Sequence, residues 1–114
     1  MKKLRLANIK TDSWELEDGE EKKRNNPSTF FIPSLESRQN LKPEDKAKMY
    51  FRIRTVNDQD EEEDNVEGLW IIVTNKVDDF YKGIIDNGPE CTDEMKVGME
   101  VVFEARHVVQ VHRH

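Results

Sequence analysis

From Ala47 to Arg54 apolar and polar residues alternate: Ala47, Met49, Phe51 and Ile53 fall on one side, Lys48, Tyr50, Arg52 and Arg54 on the other. A period of two marks a strand with one face buried. Three further runs rich in β-branched and aromatic residues, 69–74, 80–85 and 97–103, follow between polar and Gly/Pro turns, as successive antiparallel strands would. The run 69–74 is apolar on both sides, as in a central strand covered from two faces. Val77-Asp78-Asp79 turns the chain into the next run, where Gly83 marks a bulge or tight bend at which the sheet curls. Val97, Met99, Val101 and Phe103 alternate again, and 108–111 reads as a last strand.

The first half of the chain is less regular. Leu4, Leu6 and Ile9 suit a short edge strand, and Trp14 and Leu16 suit an anchor onto the core. Residues 18–24 place acids early and bases late, the order a helix dipole favours. Asn25-Asn26-Pro27-Ser28 interrupts the chain, and Thr29-Phe30-Phe31-Ile32 reads as a short strand ended by Pro33. Ser34 is placed to cap a helix over 35–40, with Pro43 closing it. The expected fold is one β-rich α+β domain over 1–114. It would be a strongly bent antiparallel sheet, or a small SH3-like barrel, of about six strands with one or two short helices. Residues 1–26 form a peripheral segment, and 57–67 an acidic, mobile loop.

The net charge of −6 is local. Asp58, Asp60, Glu61, Glu62, Glu63, Asp64 and Glu67 crowd one stretch that has no Lys or Arg; without those seven of the 24 acids, 17 face 18 Lys and Arg. Nucleic-acid binders show the reverse, a basic stripe with interleaved aromatics, and Lys22-Lys23-Arg24 is preceded directly by Glu20-Glu21. No nucleic-acid partner is expected. Nor is a membrane: no apolar run approaches the roughly 18 residues a spanning helix needs, and the basic residues of 1–10 lead into no secretory apolar stretch. A lone cysteine, Cys91, fits a reducing compartment, so the expected location is the bacterial cytoplasm.

Candidate chemistry is sparse. Asp58, Asp60 and Glu62 alternate as calcium ligands might be spaced, but Glu63 occupies the sixth position, where an EF-hand loop needs glycine, and Leu69 the twelfth, where it needs glutamate. His112 and His114 share one side of an extended chain while His107 points away, and no Cys or acid completes a tetrahedral set. No metal or cofactor is expected. Cys91 sits among Glu90, Asp93 and Glu94, which disfavour its thiolate. Serines lack a nucleophile elbow, and Gly83, Gly88 and Gly98 are too dispersed to cradle phosphate. An enzyme would have to gather Glu67, Arg38 and His107 from distant segments. Trp70 lies on the opposite side from Leu69, Ile71 and Val73; it is either core, or an exposed aromatic platform with Tyr50 and Tyr81. Asn87 and Pro89 suit a turn, and Arg38 either clamps an acid across the fold or is exposed.

Thr29-Phe30-Phe31-Ile32-Pro33-Ser34, Arg38, Leu41-Lys42-Pro43, and Lys48 with Phe51 resemble the opening of the YegJ-like group of small bacterial domains. The likeness continues through 67–74, 81–89 and 96–103 to His107-Val108. Families related to that group include proteins that resemble immunity partners of bacterial toxins, while most members have no assigned activity. Two departures stand out: Pro43-Glu44-Asp45 replaces the group's usual Pro-Gly-Asp, and the acidic run is not a group feature.

The function expected is therefore non-enzymatic: a toxin-neutralising, immunity-like or regulatory protein that binds a basic protein partner. Asp58, Asp60, Glu61, Glu62, Glu63 and Asp64 would meet the basic surface, with Trp70 and Tyr81 as anchors. The alternative is a small-ligand-binding barrel with Trp70, Tyr81 and Asn87 lining its pocket.

Overall fold

Ala47, Met49, Phe51 and Ile53 are buried in the computed structural model, which describes residues 4–114. In chain order the elements are α1 (Ile9–Asp12), β1 (Trp14–Leu16), α2 (Gly19–Asn25), α3 (Leu35–Gln39), β2 (Lys46–Val56), β3 (Glu62–Val77), β4 (Phe80–Ile85), β5 (Glu100–Phe103), a 3-10 turn (Ala105–His107) and β6 (Gln110–His112). All strand pairs are antiparallel, in the order β1-β2-β3-β4-β5, and the sheet curls into a half-barrel. β6 also pairs with β2, opposite Lys46 to Lys48, beside the stretch where β1 pairs opposite Phe51 to Ile53. Two short strands from opposite ends of the chain thus share one edge of β2.

The concave side holds the core. Met49, Phe51, Leu69, Ile71, Val73, Ile85, Val101 and Phe103 are almost wholly buried. Trp14 stacks on Phe51 at 5.3 Å between ring centroids, so the expected anchor is real. β3 and β4 approach closely at Gly83: a Cβ there would lie 2.4 Å from Ile71 Cγ2 and 2.7 Å from Ile72 O, and the β3–β4 register slips between Val73 and Asn75 beside it. Only glycine allows that approach.

The helices follow their caps. Asp18 Oδ1 accepts from Glu21 N–H at 3.0 Å to start α2, and Ser34 Oγ accepts from Ser37 N–H at 3.1 Å to start α3. Arg38, buried at 5% exposure, is the clamp between them. Its Nη1 donates to Glu20 (2.7 Å) and Ala105 O (2.9 Å), and its Nε donates to Pro33 O. Buried Asp45 gathers Lys42 N–H, His114 N–H and Arg113 Nη1, tying the residues after β6 to the entry of β2.

Four expectations need correction. Leu4 and Leu6 lie outside any strand and Ile9 begins α1, because Asn8 caps a helical turn instead: its Oδ1 accepts from Lys10 N–H at 2.9 Å. Residues 29–32 pair with no strand; Thr29 and Phe30 close a turn onto Asn26 O. Val97 is 65% exposed and β5 begins only at Glu100, since Gly98, at φ +93°, turns the chain first. The acidic segment is not all loop: Glu62 to Glu67 belong to β3, and 57–61 make the turn before it.

Candidate partner-binding surfaces

β2 and β3 remain paired without interruption from Lys46↔Ile72 to Val56↔Glu62. β1 stops opposite Ile53 and β4 starts opposite Ile71, so the far part of the ladder projects as a two-stranded arm. Its turn is tight. Asn57 Oδ1 accepts from Gln59 N–H (2.9 Å) and Glu61 N–H (3.0 Å), Asn57 N–H donates to Glu61 O, and Asp60 takes φ 61°. Asn readily makes such side-chain-to-backbone turns. Along the arm Arg54 grips Asp64 with two hydrogen bonds of 2.9 and 3.3 Å, which hold that carboxyl below its ordinary range. Asn65 Nδ2 donates to Thr55 Oγ1 at 3.0 Å.

The arm therefore places its acids along one hydrogen-bonded hairpin and its turn. Glu62 and Asp64 share Arg54, whereas Asp58, Asp60, Glu61 and Glu63 make no ion pair among the described residues. Sequence reasoning missed that Val56 (63% exposed) and Val66 (46%) sit on the same strands. Once the turn is placed at 57–61, Arg52, Arg54 and Val56 fall opposite Val66, Asp64 and Glu62, which sets one base against one acid, Arg54 against Asp64, and each valine against a charged residue.

Glu67, the last of the acids, faces inward and holds the segment after β4. Its two oxygens accept from Glu90 N–H (2.8 Å) and Cys91 N–H (2.9 Å). Burial, then the hydrogen bond and charge of Glu67, push the Cys91 thiol up to about 11. Burial also opposes the Glu67 carboxylate, but the Cys91 thiol and the two N–H donors outweigh it and hold that carboxyl below its ordinary range.

Trp70 and Tyr81 are not neighbours on one surface. Trp70 is half-buried on the convex face, opposite Lys48, near half-buried Ile72 and Ile84. Tyr81 is 1% exposed on the concave face, stacked on Phe103 at 5.2 Å, with its hydroxyl donating to Arg38 O and accepting from Leu41 N–H. Its place in the expected anchor is thus corrected by strand parity. Tyr50 does share the convex face, but Phe30 lies 6.2 Å from its ring and the Lys22 and Lys48 ammonium groups 5.6 and 5.8 Å away. Trp70 stands eight residues along β3 from Glu62, roughly 26 Å at the usual rise of a strand.

The ligand-pocket trio fares similarly. Asn87 Oδ1 accepts from Trp70 N–H at 2.8 Å, and Asp86 N–H donates to Trp70 O, so Asn87 shapes the exit from β4 as a turn-former. Of five surface grooves of about 500 to 620 Å3, none is lined by Trp70 or Asn87.

Glu67, Arg38 and His107 are also committed separately. His107, 1% exposed, accepts from Glu104 N–H at Nδ1. Burial, helped by the Arg106 charge and opposed by Asp18, pushes its pKa down to about 4. No three His, Cys, Asp or Glu side chains among the described residues are grouped to hold a metal ion. No helix among them is long and apolar enough to cross a membrane. No family model, curated protein or solved structure matches the chain.

Proposed function

We propose that this chain is a non-enzymatic protein-binding domain whose acidic arm meets a basic surface on a protein partner in the bacterial cytoplasm. One observation carries the proposal. Asp58, Asp60, Glu61 and Glu63 lie together at the end of a β-hairpin that projects beyond the sheet, without internal cations. Charges carried on an ordered hairpin lose less freedom on binding than charges on a loose chain, and they steer an oppositely charged partner. The finer reading, a toxin-neutralising or regulatory partner protein, draws on the resemblance to the YegJ-like group.

The test compares the native chain with a variant carrying Asp58→Asn, Asp60→Asn, Glu61→Gln and Glu63→Gln, as bait in lysate of the source organism at low and moderate salt. The expected result is one stoichiometric basic protein held by the native chain, released as salt rises, and lost from the variant. Equal retention by both baits would overturn the role of the arm.

A further inference from the structure

The direction of the backbone along β2 fixes which edge of β3 is open. Val109 N–H donates to Lys48 O, Glu17 N–H to Tyr50 O, and Arg54 N–H to Ser13 O, at 2.8 to 2.9 Å. Even-numbered residues of β2 therefore direct their peptide groups toward β1 and β6. In an antiparallel ladder a residue's N–H and C=O leave on the same side. Met49, Phe51 and Ile53 thus exchange hydrogen bonds with Leu69, Glu67 and Asn65, and the even-numbered residues of β3 point the other way. On that other side Ile72 meets Ile84 of β4, and Trp70 is closed by Asp86 and Asn87. At Gly68, Val66 and Asp64 no backbone or side-chain partner follows among the described residues. Three successive rungs of the sheet are open.

We propose that this edge receives an extended, basic segment of a protein partner, which joins the sheet as a strand beside β3. The proposal rests on the basic-partner reading above and specifies how that partner is held. Unpaired peptide groups supply affinity and register, while side chains along the edge supply selection. Here those side chains are Glu62, Glu63 and Asp64, with Val66 as the apolar contact; Glu62 and Asp64 share Arg54, Glu63 makes no ion pair among the described residues, and Glu67 stays turned inward on Glu90 and Cys91 N–H. Lysines or arginines alternating with small apolar residues complement that row. A second copy of this chain does not, because its own β3 would set carboxylates against carboxylates, the usual device that keeps exposed edges from pairing with themselves. The site is bounded by the Asn57–Glu61 turn at one end and the Asp86–Asn87 cap at the other, which leaves room for a strand of roughly 20 Å.

The probe is an amidated heptapeptide alternating lysine with threonine or valine, added to the full chain at low salt. Amide exchange is read by NMR with and without it. The amides of Asp64, Val66 and Gly68 should slow at least tenfold, while those of Asn65, Glu67 and Leu69 stay as they were. Val66→Pro removes an N–H that faces outward, a position where an edge strand tolerates proline, and should weaken peptide binding at least tenfold. No binding, binding without slowed exchange at those three amides, or binding undiminished in Val66→Pro would each overturn the strand-addition proposal. If Val66→Pro binds normally while the four-residue acid variant does not, strand addition fails and the charge reading stands.

Discussion

At one end of the β2–β3 ladder Met49 faces Leu69 with essentially no exposure; at the other Val56 faces Glu62 in water. The two strands, the antiparallel pairing and the unbroken register are common to both ends. What differs is the company. The inner end is flanked by β1, β6 and β4 and covers a core, whereas the outer end is two strands alone. Two-stranded ribbons are marginal in water, so the arm borrows its order from the ladder that continues into the core, helped by the Asn57 turn and the Arg54–Asp64 pair. A functional edge can be offered to solvent because its stability is supplied from elsewhere on the same strands.

The sharpest way to break that contrast is at Phe51, buried beneath Trp14. Phe51→Ala should cost about 3–5 kcal/mol of global stability, seen as a lower midpoint in urea. If it instead costs no more than an arm substitution, the two ends are not energetically distinct. Next comes acid. His107 is held neutral in the fold, with a pKa near 4 against about 6.5 in an unfolded chain. Above pH 6.5 neither state takes the proton. Between 6.5 and 4 the unfolded chain binds it and the fold refuses it, so stability should fall by roughly 3 kcal/mol as pH drops through that window. His107→Gln should flatten the slope there. The held carboxylates of Glu17, Asp18, Asp45 and Glu67 act in the same direction, but lower, beneath their ordinary values. The smallest effect belongs to the arm: Asn65→Ala, which removes the bond to Thr55, should cost about 0.5 kcal/mol or less. Its signature is local, with faster amide exchange in the arm and an unchanged global midpoint.

Much of the inner end was legible from parity alone. The alternation from Ala47 to Ile53 named the buried face of β2, the acid-to-base order of 18–24 and the capping Ser34 announced α2 and α3, and Gly83 marked the irregularity between β3 and β4. The outer end was not. Aspartate and glutamate are poor strand formers, so a run of them reads as loop unless the hairpin register is known, and that register depends on the Asn57 turn. The same missing register hid which aromatics share a face. Trp70 and Tyr81 lie on different strands, and the two-residue turn at Asp78-Asp79 together with the slip after Val73 decides their sides. Glu44 shows a subtler case. It adopts φ 78°, a left-handed conformation that favours glycine, which a glutamate in the sequence does not announce.

β1 and β6 lie end to end along one edge of β2, both antiparallel to it. Followed along that edge, Trp14 to Leu16 leads into Gln110 to His112, as if a single strand had been cut and the rest of the domain spliced in between. Tension applied between Trp14 and His112 would therefore pull the two halves outward along β2, loading all their hydrogen bonds at once in shear instead of unzipping them one at a time. The same arrangement that closes the edge of the sheet makes it a mechanical clamp.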